Sequence, residues 1–389
     1  MLALDVASAS ELQRGREAPS LVWWLQGEER QNFGDYLTDF LWSHLGGQMR
    51  IRGDSYRLIG SVIADWLIRD DLTRVGKWDG GRIVFWGCGL RDDAPLSPDS
   101  IARSVFCGVR GPLSRAVLNL PASTPIGDPA LLLPLLHKPV PQKRTKGKTV
   151  CAPHFHDTET DERLLESTGV DVIVRAAVAN SPQALTQILN EIASTDFVLA
   201  GSLHAAIVAC AYGVPFCYFD SGHLDVPFKW RDFSASVNIG TFFVNNLADA
   251  RVVYETAIRP KLRKPPLFPI LATAPFRAPA AQLLKAAQYD AEQLGARNPI
   301  DVAAFSAFVD MVDRDVFLIG GDLLQLAMAK AEENLRLETH AHAETRQKLE
   351  VSNAALEVAN AKIQAMTIRQ NSWRGLLRMA QRRARGREN

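Results

Sequence analysis

No stretch of the 389-residue chain approaches the roughly 18 consecutive apolar residues that a membrane-spanning helix needs. An integral membrane protein is therefore not expected. The opening Met1-Leu2-Ala3-Leu4-Asp5 has no basic region followed by a long apolar stretch, so a secretory leader is not expected either. Paired cysteines are also missing. The five cysteines are Cys88, Cys107, Cys151, Cys210 and Cys217, an odd number with no C-x-x-C spacing. That argues against a disulfide scaffold and against a cysteine zinc site. Cys210 and Cys217 flank an apolar run and read as small core residues. A reducing compartment, hence a cytoplasmic location, is the expectation. Charge of one sign is scarce as well. A formal net charge of +1 gives no global electrostatic case for nucleic acid, so no nucleic-acid partner is expected. No internal repeat is visible.

What is present is an ordinary globular composition, 47% hydrophobic and 22% charged, in a length that suits roughly two to three domains. Short apolar runs alternate with helical patterns. Leu21 to Leu25 reads as a buried strand. Asn32-Phe33-Gly34-Asp35 follows, then an amphipathic helix near Tyr36 to Leu45. Ile83 to Trp86 reads as a strand that ends in Gly87-Cys88-Gly89. Val105 to Val109 is the next, followed by Arg110-Gly111-Pro112 and a helix from Leu113 to Leu118. This strand–loop–helix rhythm predicts a mostly parallel sheet with helices on both faces.

The rhythm breaks between Lys138 and Lys148. Pro139, Pro141, Gly147 and several basic residues gather there, with Pro134 just upstream, without apolar periodicity, which reads as a linker. It then restarts. Val150 to Ala152 and Val170 to Val174 read as strands, Pro182 to Ala193 as a helix, Phe197 to Ala200 as a strand, Ala205 to Tyr212 as a helix, and Pro215 to Phe219 as a strand. Two α/β halves joined by a linker put a cleft between them, and in open α/β sheets ligands gather beyond the carboxyl ends of the strands. The expected fold class is α/β, with two Rossmann-like domains facing a cleft in a GT-B-like manner, plus a long C-terminal helix. The expected boundaries are 1–137 for the first Rossmann-like domain, 138–148 for the linker and 149–265 for the second domain. A helical or irregular packing segment takes 266–321, a long helix 322–368 and a basic amphipathic tail 369–389.

The last segments differ in kind. Between Gly321 and Gly375 there is neither glycine nor proline, enough for a helix of about 80 Å at about 1.5 Å per residue. Met328, Leu335, His342, Leu349, Leu356 and Ile363 recur every seven residues. The partner positions Ala331, Glu338, Thr345, Ser352, Ala359 and Met366 are mixed, so only half of a coiled-coil seam is present. A self-associating stalk, giving a homo-oligomer, stands beside the plainer reading of one amphipathic helix on the body. The tail from Arg369 to Arg387 mixes seven arginines with Trp373, Leu376, Leu377 and Met379. That composition suits peripheral contact with an anionic membrane, expected at the inner face of the cell membrane. A solvated frayed end is the plainer alternative. Ser372-Trp373-Arg374 bears a weak likeness to the ends of many envelope glycosyltransferases.

The most informative stretch is Thr195-Asp196-Phe197-Val198-Leu199-Ala200-Gly201-Ser202-Leu203-His204-Ala205-Ala206-Ile207. A buried strand runs into Gly201-Ser202, and a helix starts near Leu203 or His204. Ser202 is placed to cap that helix. Free backbone N–H groups and the positive end of the helix dipole there favour an anion, and His204 in the first turn would face the same anion. An imidazole beside a phosphate is a plausible reacting pair; the bland alternative is a histidine bonded to a neighbouring loop.

Here the chain resembles the polysaccharide pyruvyl transferase family. Ser202-Leu203-His204-Ala205-Ala206-Ile207-Val208-Ala209 with Gly213-Val214-Pro215 is similar to that family's C-terminal signature. Asn32-Phe33-Gly34-Asp35 resembles its N-terminal Asn-x-Gly-Asp, and Gly60-Ser61 and Gly87-Cys88-Gly89 its glycine turns. Val109-Arg110-Gly111-Pro112 and Gly127-Asp128-Pro129-Ala130 resemble its mid-chain motifs. Pro153-His154-Phe155 with Asp157 resembles the start of its second half, and Phe228-Lys229-Trp230-Arg231-Asp232 a segment of exopolysaccharide members. The resemblance covers about residues 21 to 240. In one respect the chain departs from it: many members carry arginine directly before the Leu-His pair, where this chain has Ser202.

The resemblance implies transfer of enolpyruvyl from phosphoenolpyruvate to a sugar of a cell-surface polysaccharide or its lipid-linked oligosaccharide precursor, closing a pyruvate ketal. Phosphoenolpyruvate is then a donor substrate, and no cofactor and no metal are expected. His204 is the expected acid/base, assisted by Asp128 or Asp35. Asn32, Gly34, Gly87, Gly89, Gly201, Ser202 and Leu203 are the expected substrate-binding positions. A trianionic donor needs charge-assisted partners, and Arg110, Arg175, Lys229 and Arg231 are the candidates in that order. Each has a plain alternative. The glycines permit unusual backbone, Asn32 and Asp35 can simply cap a helix, Asp128 can shape a turn, and any one of the cations can serve a salt bridge. His154, His156 and Asp157 have a spacing open to metal, though a common one.

Two other functions fit the same pattern. A GT-B-type nucleotide-sugar glycosyltransferase would share the fold, but no clear glutamate for the donor ribose lies between Ala205 and Gly240, only Asp220, Asp225 and Asp232. A non-catalytic envelope-assembly scaffold that recruits partners through its coiled coil would tolerate the missing arginine. The acceptor sugar, its hydroxyls and the ketal's stereochemistry depend on the shape of the cleft.

Overall fold

A computed structural model describes residues 19–222, 224–295 and residue 305. The expected long helix, its coiled-coil seam and the basic tail lie outside the described residues. Among the described residues no helix is long and apolar enough to cross a membrane.

The architecture is mixed α/β, with parallel sheets flanked by helices. The strands are β1 (Arg30–Asn32), β2 (Ser55–Arg57), β3 (Ile83–Cys88), β4 (Ser104–Val109), β5 (Thr149–Ala152), β6 (Val172–Ile173), β7 (Ala177–Ala179), β8 (Phe197–Ala200), β9 (Phe216–Phe219) and β10 (Phe243–Val244). One parallel sheet has the order β2-β3-β4, and the other the order β10-β9-β8-β5-β6. Isolated parallel bridges from Leu21 to Tyr56 and from Val109 to Ile126 extend the first sheet at both edges. β3, β5, β8 and β9 are buried along their whole length, as strands covered on both faces must be, and apart from Thr149 at the start of β5 and the Tyr218 hydroxyl their sequences are correspondingly runs without a polar side chain.

Local rules explain the helices. Pro182–Ala193 opens with Ser181 as a cap, its side chain accepting from Ala184 N–H, and with proline in the first turn. Leu185, Ile188, Leu189 and Ile192 form its buried stripe. Leu203–Tyr212 is buried almost all round and ends on Gly213 in the left-handed conformation, φ 74°. Asn32 caps Phe33–Leu45, its side chain accepting from Gly34 N–H at 3.2 Å. That helix therefore starts three residues earlier than Tyr36, and it is the cap that sets the start.

The first apolar run corrects an expectation. Leu21 to Leu25 is not a strand. Only Leu21 makes a parallel bridge, Val22 N–H donates to Tyr56 O at 3.0 Å, and the chain then turns through residues 24–27 with Leu25 at φ 60°. Trp24 is left 40% exposed. Apolarity there serves a turn facing the cleft rather than a core strand.

The two sheets are joined by more than the chain. β1 pairs antiparallel with β7, Arg30 opposite Ala179 and Asn32 opposite Ala177. Phe33 N–H donates to Ala176 O. The segment from Lys138 to Lys148 has no regular structure before Lys148 yet is pinned. Val140 N–H donates to Asn190 Oδ1, Gln142 N–H to Ser194 Oγ, and Arg144 pairs with Glu191 at 2.9 Å. Asp232 on the helix Pro227–Ser236 accepts from Leu113 N–H, Ser114 N–H and Ser114 Oγ, and so caps the helix Pro112–Val117 across the fold. Trp86 Nε1 donates to Ile270 O, which fastens the helix Leu267–Ala272 to the first sheet.

Candidate functional site

A cleft of about 370 Å3 opens where the segments after five parallel strands meet. Arg57 and Ser61 come from the end of β2, Arg91 follows β3, His154, Phe155 and His156 follow β5, Ser202, Leu203 and His204 follow β8, and Asp225 follows β9. Carboxyl ends of parallel strands leave backbone and short turns free to build such a place. Asn32, Asp35, Lys229 and the tryptophans Trp23, Trp24 and Trp66 complete the wall.

His204 sits in the first turn of Leu203–Tyr212 with 12% of its side chain accessible. Its ring lies directly against Gly34: a Cβ at Gly34 would fall 1.9 Å from His204 Nδ1. Phe33 meets the imidazole edge-on. Behind it stands Asp128, fully buried, with Oδ2 3.9 Å from His204 Nε2. Asp128 Oδ1 accepts from Ala130 N–H at 3.0 Å, so one oxygen shapes the turn before Pro129 and the other faces the imidazole. Neither Asp128 Oδ2 nor His204 Nε2 has a hydrogen-bond partner among the described residues. Asp35 lines the cleft itself, its Oδ2 accepting from Asn32 Nδ2 at 2.9 Å.

These environments push the groups apart. Burial raises Asp35 to about 6, against the pull of Arg57, Lys229 and Arg91. Burial likewise raises Asp128 to about 6, opposed by the Ala130 N–H and by Arg110. His204 moves the other way, down to about 3, first through burial and then through the Arg110 and Lys229 charges. Loss of hydration penalises the charged form in each case, which for a carboxyl is the anion and for an imidazole the cation. At neutral pH the imidazole is uncharged, and the two carboxyls hold protons far more readily than exposed ones.

The cationic wall is partly self-neutralised. Lys229 Nζ meets Asp225 Oδ2 at 2.7 Å; Arg91 lies 3.7 Å from the same carboxylate and His154 Nε2 3.6 Å. The His154 hydrogen bond, then Lys229, holds Asp225 well below the usual carboxylate range. Burial lowers Lys229, with Asp225 working against it. Arg57 is paired with buried Asp71 through two bonds of 2.6 Å.

The expected site residues divide. His204, Asp35, Asn32, Ser202, Leu203 and Lys229 line the cleft. Gly34 packs against the His204 ring and Asp128 stands behind it. Arg110 is fully buried behind the wall: Nη1 donates to Ser61 Oγ at 2.6 Å, Gly89 faces its guanidinium, and Nε lies 3.5 Å from Asp232 Oδ2. Gly87 is a turn against Pro129 at φ 67°, and Gly201 packs on the backbone of Pro153 and His154. Arg175 lies outside the cleft lining; it binds Asp161 and the carbonyl oxygens of Asp157 and Glu159. Arg231 points away too, 54% exposed and 3.7 Å from Asp93. Ser202 holds the cap position without a side-chain capping bond and faces the cleft instead.

Sequence reasoning passed over Arg57, Arg91 and the three tryptophans. The usable signal was position, since Arg57 and Arg91 lie at or just after strand ends. His154 and His156 approach each other, ring centroids 5.5 Å apart. Among the described residues no three His, Cys, Asp or Glu side chains gather as a cation cluster.

Residues 79–223 match the family described as polysaccharide pyruvyl transferase. The chain is also 24% identical over 212 residues to the succinoglycan biosynthesis protein ExoV of Rhizobium meliloti (strain 1021), covering 54% of this chain and 62% of that protein. The chain thus spans less than two thirds of that relative's length. No solved structure matches it.

Proposed function

We propose that this chain, whose residues 79–223 belong to the polysaccharide pyruvyl transferase family, transfers enolpyruvyl from phosphoenolpyruvate to a sugar of an exopolysaccharide or its lipid-linked precursor. The observation that carries the reading is the placement of His204, Asp35 and Lys229 on one cleft with buried Asp128 3.9 Å behind the imidazole, where burial raises Asp35 and lowers His204. Groups whose environments drive their pKa values apart divide into acid and base. A protonated Asp35 is the acid that gives its proton to the methylene carbon of phosphoenolpyruvate. The carbon bearing the phosphate becomes oxocarbenium-like. Neutral His204, backed by Asp128, takes the proton of the first sugar hydroxyl as its oxygen bonds to that carbon. The imidazolium then protonates the leaving phosphate, and the second hydroxyl closes the ketal and returns its proton to Asp35. One hydroxyl proton ends in the new methyl group and the other in the phosphate, so the cycle balances.

Lys229 and Arg91 are the cations in reach of the donor's phosphate and carboxylate, in place of the arginine that Ser202 replaces. An incoming trianion would displace Asp225 from them and raise His204, because a nearby anion favours the imidazolium. The GT-B-like arrangement of two Rossmann-like domains belongs to the same proposal, and two separate parallel sheets whose strand ends meet at the cleft are in keeping with it. Membrane contact and self-association through the C-terminal segments, and an inner-face location, belong to the same proposal.

The test is release of inorganic phosphate from phosphoenolpyruvate that depends on lipid-linked oligosaccharide, with the acceptor gaining a pyruvyl ketal by mass spectrometry. Hydrolysis of UDP-sugars without phosphate release from phosphoenolpyruvate would favour a glycosyltransferase and end the proposal.

A further inference from the structure

Three of the chain's eight tryptophans, Trp23, Trp24 and Trp66, line this one cleft. Among the other described tryptophans, Trp86 and Trp230 are fully buried and Trp42 and Trp78 half-buried. Trp24 and Trp66 are instead 40% and 60% exposed. Leaving two indoles in water forgoes a large gain from burial, and exposed aromatic surface inside a groove marks ligand contact more than chance.

Their setting is rigid. Trp66 stands in the first turn of the helix Asp65–Arg74, whose other face buries Ile68 and Leu72. Asp70 and Arg74 follow at intervals of four, so the indole, the carboxylate and the guanidinium form one stripe along one helix face. All three line the cleft, and Asp70 and Arg74 meet at 3.2 Å with about half of each side chain in solvent. Arg91 lies over the Trp66 ring at 5.8 Å and also reaches Asp225, which ties the stripe to the cationic end of the site. Trp24 stands edge-on to Phe155 and His156, ring centroids 5.1 and 5.3 Å apart. Its neighbour Trp23 is fixed by a bond from Nε1 to Gln31 Oε1.

We propose that Trp24 and Trp66 form a platform for a pyranose ring of the acceptor, its hydroxyls bonded to Asp70 and Arg74. This rests on the sugar-acceptor reading above and says where that sugar lies. A pyranose has an apolar C–H face and a polar rim of hydroxyls, and the stripe offers an aromatic face followed by a planar acceptor and a planar donor. Side chains already held in place lose little freedom on binding. A hydrocarbon chain would meet charges every turn of this helix, so a lipid tail does not fit it.

The experiment uses the full chain. Saturation-transfer NMR with neutral disaccharides of glucose and galactose, with UDP as a second probe, reads contact with ring C–H protons. Phosphate-release kinetics in acceptor and in phosphoenolpyruvate run alongside. The double variant Trp24→Ala/Trp66→Ala is expected to lose the disaccharide signal and to raise the acceptor KM about tenfold, with the phosphoenolpyruvate KM moving less than about threefold. The double Phe variant is expected to restore most of both. A disaccharide signal that is absent in the parent chain, or unchanged in the Ala variant, overturns the platform, as does contact with UDP alone. Robust transfer with an unmoved acceptor KM also overturns it while leaving the transferase standing. Tryptophan-dependent sugar contact without any phosphate release upholds the platform and removes the transferase.

Discussion

His204 Nε2 stands 3.9 Å from Asp128 Oδ2, and neither atom has a hydrogen-bond partner among the described residues. A buried acceptor and a buried imidazole nitrogen left facing each other are costly unless the pair is used. The separation is a little beyond a hydrogen bond. Catalytic bonds commonly tighten only when substrate is present.

Gly34 makes that geometry testable without touching the ring. Its φ is not in the left-handed region, so alanine suits the helix backbone there. A Cβ at that position would nevertheless fall 1.9 Å from His204 Nδ1 and force the imidazole aside. Gly34→Ala is expected to cut phosphate release more than about a hundredfold, and His204→Ala about as much or more. Far-UV circular dichroism should stay unchanged in both. Near parental rates in either variant would remove His204 from the chemistry.

Asp128 predicts a pH-dependent stability. Its folded pKa of about 6 lies above the ordinary 3.8, so the contribution from its proton is complete below about pH 4 and is lost as pH rises through 6. Asp128→Asn removes that loss. The variant is expected to be more stable at pH 8 by up to about 3 kcal/mol, with the gain gone at pH 4. His204 acts in the opposite sense. Its folded value of about 3 is below 6.5, so its contribution is present above 6.5 and fades as pH falls towards 3. Urea unfolding at pH 4, 6 and 8 reads both; a gain independent of pH would contradict the assignment.

Asp232 makes one of the contacts between the two halves, joining the helix Pro227–Ser236 to the helix Pro112–Val117. It accepts three hydrogen bonds from Leu113 and Ser114 and stands beside the buried Arg110 guanidinium. Asp232→Ala strands those donors and leaves a buried cation unpaired. A loss of roughly 3–5 kcal/mol is expected in urea titration, and Asp232→Asn should cost less. A loss under about 1 kcal/mol would show that the contact is dispensable.

The cations separate by position. Lys229→Ala should raise the phosphoenolpyruvate KM at least about tenfold, because a charge-assisted partner is removed from the cleft. Arg175→Ala and Arg231→Ala, whose partners are Asp161 and Asp93, should move it less than about threefold. Initial-rate kinetics across the three variants decide it, and an effect at Arg175 equal to that at Lys229 would contradict the placement.

The strand Phe197–Ala200, the helix Pro182–Ala193 and the junction at Gly201-Ser202 were legible from local pattern, because unbroken apolar runs, a Ser-Pro start and a Gly stop act within a few residues. The run at Leu21 to Leu25 misled for the same reason: apolar residues in a short window look alike whether they enter a core or wall a cleft. His204, Asp35 and Asn32 were found through motifs. Arg57 and Arg91 were not, since a single arginine among forty-four basic residues carries no local mark.

Composition and order along the chain determined an α/β protein and put an imidazole at the start of a buried helix after β8. Only the tertiary structure decided which cations face that imidazole, which carboxyl stands behind it, and that Arg110 and Arg175 lie outside the cleft lining. The reason is distance in sequence. His204 meets Gly34 and Asp128, and Asp232 meets Ser114, across separations at which no periodicity survives, so their charges and burial arise only when the two sheets come together.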